Sequence, residues 1–295
     1  MAKMASFSLV VLCLLWTFFP QSVRANGEDP PAYLHDRGTG LPTSMFGTYI
    51  RGGELLVFPF LEYSLDHNQE YQPSKLGFGL ERDFLGKYRH TRGQIFVAYG
   101  VTDWLAVEFE AATMRATLEK SPDDPSLMPS KISESGVGDI EGQLRLRLVR
   151  EGDRRPEVFG YLEVTAPSNR DKVLIGDAHW GFNPGVGVVK GFSWGTMTFR
   201  AGLEYNRETK QMDIGEASLE YLKRLSPSWS VFAAFEGGET GAPDEWELIT
   251  GVQWRVADFL VLKVDNSFGL FPKSNDWALQ IGGVFSIFSS GQARD

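Results

Sequence analysis

The chain has 295 residues, 42% apolar, 13% aromatic and 23% charged, which excludes a disordered polymer and a bundle of long apolar membrane helices. Its formal net charge is −9, and loss of Lys3 and Arg24 with an N-terminal export segment takes it to −11, so a broad electrostatic grip on nucleic acid is excluded too. The single cysteine, Cys13, falls in that same segment, which leaves the exported chain no disulfide, thiol nucleophile or cysteine metal site.

Residues 1–25 start with Lys3, run apolar from about Phe7 to Phe19, break at Pro20 and end on the compact Val23 and Ala25, the pattern of a secretory signal cut after Ala25. The apolar run is shorter than the roughly 20 residues that span a bilayer, and bulky Val10, Val11 and Leu12 before Cys13 do not match a lipidation site. Residues 26–53 are Gly/Pro-rich with little alternation and are expected to form a leader, either a periplasmic tail or a plug tucked into the lumen of the C-terminal domain.

From Glu54 onward, segments rich in Val, Phe, Tyr, Trp, Leu and Thr are separated by Gly/Pro/Asn/Asp/Ser clusters, without helical periodicity between them. The predicted strands are 54–65, 91–100, 103–114, 137–149, 157–167, 181–190, 195–206, 213–224, 228–238, 244–255, 259–270 and 276–288, followed by a polar tail at 289–295. Several alternate cleanly. Leu144, Leu146 and Leu148 interleave with Gln143, Arg145 and Arg147, and Met197, Phe199, Ala201, Leu203 and Tyr205 with Thr198, Arg200, Gly202, Glu204 and Asn206.

A soluble sandwich also alternates. Three features favour a transmembrane barrel instead. The segments match the 9 to 11 residues that a tilted strand needs to cross hydrocarbon. Short connections (101–102, 191–194, 225–227, 256–258) trade places with long ones (66–90, 115–136, 168–180), as periplasmic turns trade with outer loops. Aromatic residues gather near segment ends: Tyr99, Trp104, Phe192, Trp194, Trp229, Trp246, Trp254, Phe259 and Trp277. The expected fold class is therefore all-β, an antiparallel transmembrane β-barrel of about twelve strands spanning 54–288, since lipid tolerates a sheet only when no edge is left unpaired.

With apolar faces turned to lipid, the opposite faces converge on a lumen. The predicted pore-lining residues are Glu108, Glu110, Arg145, Arg147, Glu163, Arg200, Glu204, Glu220, Glu236, Glu247, Arg255, Lys263 and Asp265, with Glu62 on the same inward faces. A midplane Arg or Lys on the lipid face costs about 2 to 4 kcal/mol, so these groups belong inside. A turn centred near Asp153 sets Arg145 across from Tyr161 and diagonal to Glu163, and Arg147 across from Phe159; a turn near Thr209 is expected to set Arg200 level with Glu220. Such groups either fill a narrow barrel or form a polar path with a mixed-charge constriction. Phe58, Phe60, Phe96, Phe159 and Tyr161 also face inward and suit an amphipathic or aromatic cargo, or plain packing.

Catalysis, metal and cofactor chemistry find little support. His35, His67, His90 and His179 fall in the N-terminal segment or in predicted outer loops without metal-type spacing. A lipid-modifying enzyme could draw on His67 or His179 with nearby Ser64 and Asp177, and the acidic outer loop carrying Glu119, Asp123, Asp124 and Glu134 could attract a divalent cation, although such residues are ordinary in loops.

The closing segment, Gln280-x-Gly282-x-x-Phe285-x-Ile287 followed by Phe288, resembles the terminal-strand signature of bacterial outer-membrane barrels, and that resemblance implies an assembly signal read by the barrel-assembly machinery. Together with Tyr99-Gly-Val-Thr-Asp-Trp104 and Ser135-Gly-Val-Gly-Asp-Ile140, it makes the chain similar to a group of outer-membrane transporter-like proteins named for a "putative meta-pathway of phenol degradation". The resemblance implies an outer-membrane barrel, in contact with outer-membrane lipid, that takes up small hydrophobic or aromatic compounds. The expected function is passive passage of small solutes. The alternative is a closed structural or adhesive barrel that binds partners through its outer loops.

Overall fold

The computed structural model describes residues 51–168, 172–175, 179–206, 211–237, 246–271 and 274–288, without the side chains of Asp139, Asn206, residues 211–214 and Phe288. The expected signal at 1–25, nearly all of the leader and the tail at 289–295 lie outside these residues. Twelve antiparallel strands succeed one another: β1 (Glu54–Tyr71), β2 (Phe84–Thr102), β3 (Leu105–Glu119), β4 (Lys131–Val149), β5 (Glu157–Ala166), β6 (Gly181–Phe192), β7 (Gly195–Asn206), β8 (Gln211–Arg224), β9 (Trp229–Gly237), β10 (Glu247–Ala257), β11 (Leu260–Gly269) and β12 (Trp277–Phe288). Each pairs with its sequence neighbours, and β1 pairs with β12 to close the barrel.

Leu61, Phe109, Leu144, Phe199, Leu203, Val252 and Ile281 point outward and are exposed, as lipid-facing positions must be. Two aromatic girdles bound this surface. At the short-turn end Trp229 stacks on Trp254 at 5.7 Å, and Trp194 stacks between Phe192 at 4.7 Å and Tyr221 at 5.7 Å. At the other end Tyr63 meets Trp277 edge-on at 6.2 Å, near exposed Trp180, Phe182, Tyr205 and Phe268. From Trp194 to Tyr205, strand rise and a tilt of about 40° give roughly 28 Å, the thickness of the hydrocarbon layer. The closed barrel with its apolar belt places the chain in an outer membrane, where barrels of this type keep their short turns on the periplasmic side.

The first four strands run past the outer girdle, so the loops expected at 66–90 and 115–136 contract to 72–83 and 120–130. Above the lipid the pattern inverts. Outward positions become polar (Lys87, Arg89, Arg115, Thr117, Lys131, Ser133), while Tyr71, Phe84, Leu118 and Met128 form an apolar cluster inside, with Leu76, Phe78, Leu80 and Leu174 packed on it. A strand leaving the bilayer meets water outside and must bury apolar groups within.

The register sets Arg145 opposite Tyr161 and Arg147 opposite Phe159, as the sequence predicts. On β7, however, Arg200 faces Ser218, and Glu220 faces Thr198. A hairpin centred on Thr209 sets position 218 opposite 200, so Glu220 is diagonal to Arg200 rather than level with it.

Candidate functional site

Inward side chains from all twelve strands enclose a cavity of about 660 Å³. Its periplasmic floor is built from aromatic and aliphatic groups. Leu56, Phe58, Phe60, Phe96, Ala98 and Ala106 form one cluster, and Phe159, Tyr161 and Val189 another. Glycine makes room for the rings: a Cβ at Gly187 would lie 2.0 Å from Phe159, one at Gly185 2.2 Å from Tyr161, and one at Gly251 2.3 Å from Phe232. Gly282 of the closing-strand signature does the same, since its Cβ would lie 2.6 Å from Phe60 and 2.7 Å from Phe58. The glycine therefore has a packing role inside the barrel. Its neighbour Gln280 donates to Glu62 of β1 at 3.4 Å, while Phe285 and Ile287 share the outward face of β12.

Ten of the thirteen predicted pore-lining residues line this cavity: Glu108, Glu110, Glu163, Arg200, Glu204, Glu220, Glu236, Glu247, Lys263 and Asp265. Arg145, Arg147 and Arg255 do not. Arg145 is sealed in the floor, its guanidinium 3.7 Å over Phe159. Arg147 pairs with buried Glu157 at 3.3 Å, and the Arg255 amide donates to Ser228 at a periplasmic turn at 2.7 Å. Their strands carry them to the periplasmic end, which inward alternation alone does not reveal. Four further polar groups that sequence reasoning missed complete the wall: Arg92, Glu141 and Glu216 line the cavity, and His90 sits on β2 with its Nε2 2.8 Å from Glu62. The first three share a face, at a spacing of two or four residues, with Gln94, Gln143 and Glu220, so the signal was present. His90 reads as a loop residue in the sequence because the polar outward positions Lys87 and Arg89 hide the start of β2.

The lining is strongly acidic as a result. Among the described residues, eleven carboxylates and three cations, Arg92, Arg200 and Lys263, line the cavity. Each cation lies among carboxylates. Arg200 is 3.2 Å from Glu163, 3.9 Å from Glu216 and 4.1 Å over the Tyr161 ring. Lys263 is 3.2 Å from Asp265 and 4.8 Å from the Phe232 ring, and Arg92 donates to Glu110 at 3.2 Å. Two cross-strand pairs are of like charge: Glu110 faces Glu141, and Glu236 faces Glu247.

The residues considered for other chemistry do not converge. His67 Nδ1 lies 2.7 Å from Asp276, both exposed, whereas Ser64 is sealed inside with no partner for its hydroxyl. Asp177 lies outside the described residues. Glu119 pairs with Arg89, Asp124 accepts from Tyr71 at 2.9 Å and from the Ser126 amide at 2.7 Å, and Glu134 accepts from the Val173 and Leu174 amides. Glu119 and Glu134 thus lie on β3 and β4 rather than in a loop, and all three acids are spent on structural contacts. Among the described residues no helix is long and apolar enough to cross a membrane, and no group of three potential metal ligands occurs.

No protein-family model and no curated protein matches the chain. Solved structures do. An outer-membrane channel from Pseudomonas putida F1 superposes with a TM-score of 0.56 at 15% identity, covering 81% of this chain and 97% of that one. The translocator domain of the autotransporter NalP from Neisseria meningitidis gives a TM-score of 0.47 at 10% identity, covering 79% and 88%. Outer membrane phospholipase A from Escherichia coli gives 0.41 at 9% identity, covering 78% and 92%. The first likeness shows the fold: this chain is an outer-membrane-type barrel.

Proposed function

We propose that the protein is a channel for passive passage of small solutes across the outer membrane, and a member of the transporter-like group it resembles. The observation that carries this reading is the cavity of about 660 Å³, lined by every strand and walled off from lipid. That volume suits one small organic molecule. The similar barrel from Pseudomonas putida F1 is itself described as an outer membrane channel. The remaining partners of this reading are outer-membrane lipid around the girdles and the barrel-assembly machinery, with the closing strand as its signal. The barrier in this reading is the aromatic floor, so passage requires Phe58, Phe159 and their neighbours to move.

The same floor favours a second reading, a permanently shut structural or adhesive barrel that acts through its outer loops. Single-channel recording in planar bilayers separates the two. Discrete conductance from folded protein supports the channel. Electrical silence, both in full-length protein and after removal of residues 26–53, leaves the structural barrel.

A further inference from the structure

We infer that the cavity selects small organic cations, an ammonium group carried on a compact apolar or aromatic body. The inference rests on the channel reading for transport, but the binding it describes stands independently of conduction. Among the described residues, carboxylates outnumber cations eleven to three around the lining. Residues 26–50 cannot restore the balance even as a plug, since they bring Glu28, Asp29 and Asp36 against Arg37.

Two features point to a ligand beyond acidity itself. The first is Gln94, which lines the cavity at 6% exposure while its Oε1 accepts no hydrogen bond among the described residues. A buried amide oxygen left unpaired is costly, and a rotation of the Gln94 amide toward the cavity would offer that oxygen to an ammonium N–H. The second is Glu236, which lies directly across from Glu247 and makes no hydrogen bond or ion pair among the described residues. Like charges opposed across two strands are destabilising, and a cation between them reverses the sign.

The protein's own cations show how these walls receive positive charge. Arg200 lies over Tyr161 and Lys263 near Phe232, each with a carboxylate within 3.2 Å. A ring face beside a carboxylate is the setting that stabilises a partly desolvated ammonium. An anion in the same place would face eleven carboxylates, while the three cations among the described lining residues already lie beside carboxylates. The apolar body of the cargo would rest on Phe60 and Phe96, which line the floor of the cavity.

The test uses the full-length exported chain in detergent and titrates three isosteres by calorimetry: phenethylammonium, 2-phenylethanol and phenylacetate. The expected order of affinity is ammonium, then alcohol, then carboxylate, with at least a tenfold gap between the first and the last. Glu236→Gln or Glu247→Gln, checked for folding by heat-modifiable gel mobility, should narrow that gap several-fold. Should both variants fail to fold, the wild-type ranking still decides. Equal binding of the three, preference for phenylacetate, or tighter binding of Ca²⁺ than of phenethylammonium overturns the inference. Reversal potentials in a KCl gradient address transport separately. Current without cation preference, alongside equal binding, keeps the channel and removes the cation selectivity. Ammonium-selective binding without current does the reverse.

Discussion

The guanidinium of Arg145 lies 3.7 Å over the ring of Phe159 and 3.8 Å from a carboxylate oxygen of Glu108. These groups sit on three consecutive strands, β4, β5 and β3, and seal one side of the floor. Both charged side chains are under 10% exposed, so water screens neither. Gln143 also donates to Glu108, so the carboxylate keeps one partner when the arginine is lost. Arg145→Met should lower stability by about 3 to 5 kcal/mol, the cost of stranding a buried charge. Adding Glu108→Gln should return most of that loss. Urea unfolding in lipid vesicles measures both, and additive losses would show that the two residues do not act as a pair.

The floor is also the proposed barrier to passage. Phe58 and Phe159 are each 2% exposed and belong to separate clusters. Replacing both with alanine should raise single-channel conductance several-fold, at a stability cost of about 3 to 5 kcal/mol each. Unchanged conductance in folded double variant would place the constriction elsewhere.

Gly187 faces the Phe159 ring across β5 and β6, with no room for a methyl group. Gly187→Ala should therefore destabilise the barrel by about 1 to 3 kcal/mol through overpacking. The same substitution made on a Phe159→Ala background should be nearly neutral. A double-mutant cycle in unfolding free energy reads the coupling, and a coupling near zero would count against the close contact.

Membrane orientation can be tested at Phe199, which is outward on β7 between the girdles and 47% exposed. Phe199→Arg should cost about 2 to 4 kcal/mol in lipid vesicles. On the solvent face of a soluble sandwich the change would be close to neutral, so a negligible effect would refute the lipid-facing surface.

Two outer-loop carboxylates tie local structure to pH. Burial pushes the Asp124 carboxyl up, but bonds from Ser126 and Tyr71, with Lys120 nearby, outweigh it and hold it below the ordinary aspartate range. Burial acts on Asp276 in the same sense and is outweighed by the His67 amide and ring. A depressed folded pKa means that stabilisation is complete above the unfolded value of about 3.9 and is lost as pH falls through the folded value. Amide exchange at Ser126 and His67, corrected for intrinsic rates, should therefore quicken between pH 5 and pH 2. Constant protection across that range would show that these bonds do not hold the loops.

Much of the barrel was legible because one period carries two environments. Leu144, Leu146 and Leu148 against Gln143, Arg145 and Arg147 fixed both the strand and its orientation, and the hairpin around Asp153 fixed the Arg145–Tyr161 pairing. Legibility ends where the outside ceases to be greasy. Lys87, Arg89, Arg115 and Thr117 look like loop residues because apolar outward positions serve as the mark of a strand. Depth along the axis is equally hidden. Alternation says that Arg145, Arg147 and Arg255 point inward, yet only the register tells that they end at or below the floor while the other ten predicted residues reach the cavity. The mixed-charge lumen expected from the sequence thus separates into an acidic chamber, among the described residues, and a short-turn end where Arg147 and Lys190 pair with Glu157 and Glu151.

Eleven of the twelve strand interfaces join consecutive strands, while the one between β1 and β12 joins residues more than 200 positions apart. Each hairpin can form with little loss of chain freedom, but the seam must await the last strand to be made. Ser286 and Glu54, bonded at 2.6 Å, are part of that final stitch. A chain shortened by β12 would lose more than one-twelfth of its wall. It would expose two raw edges, on β1 and on β11, in a solvent that offers them no hydrogen bonds, so integrity of the whole ring depends on its last dozen residues.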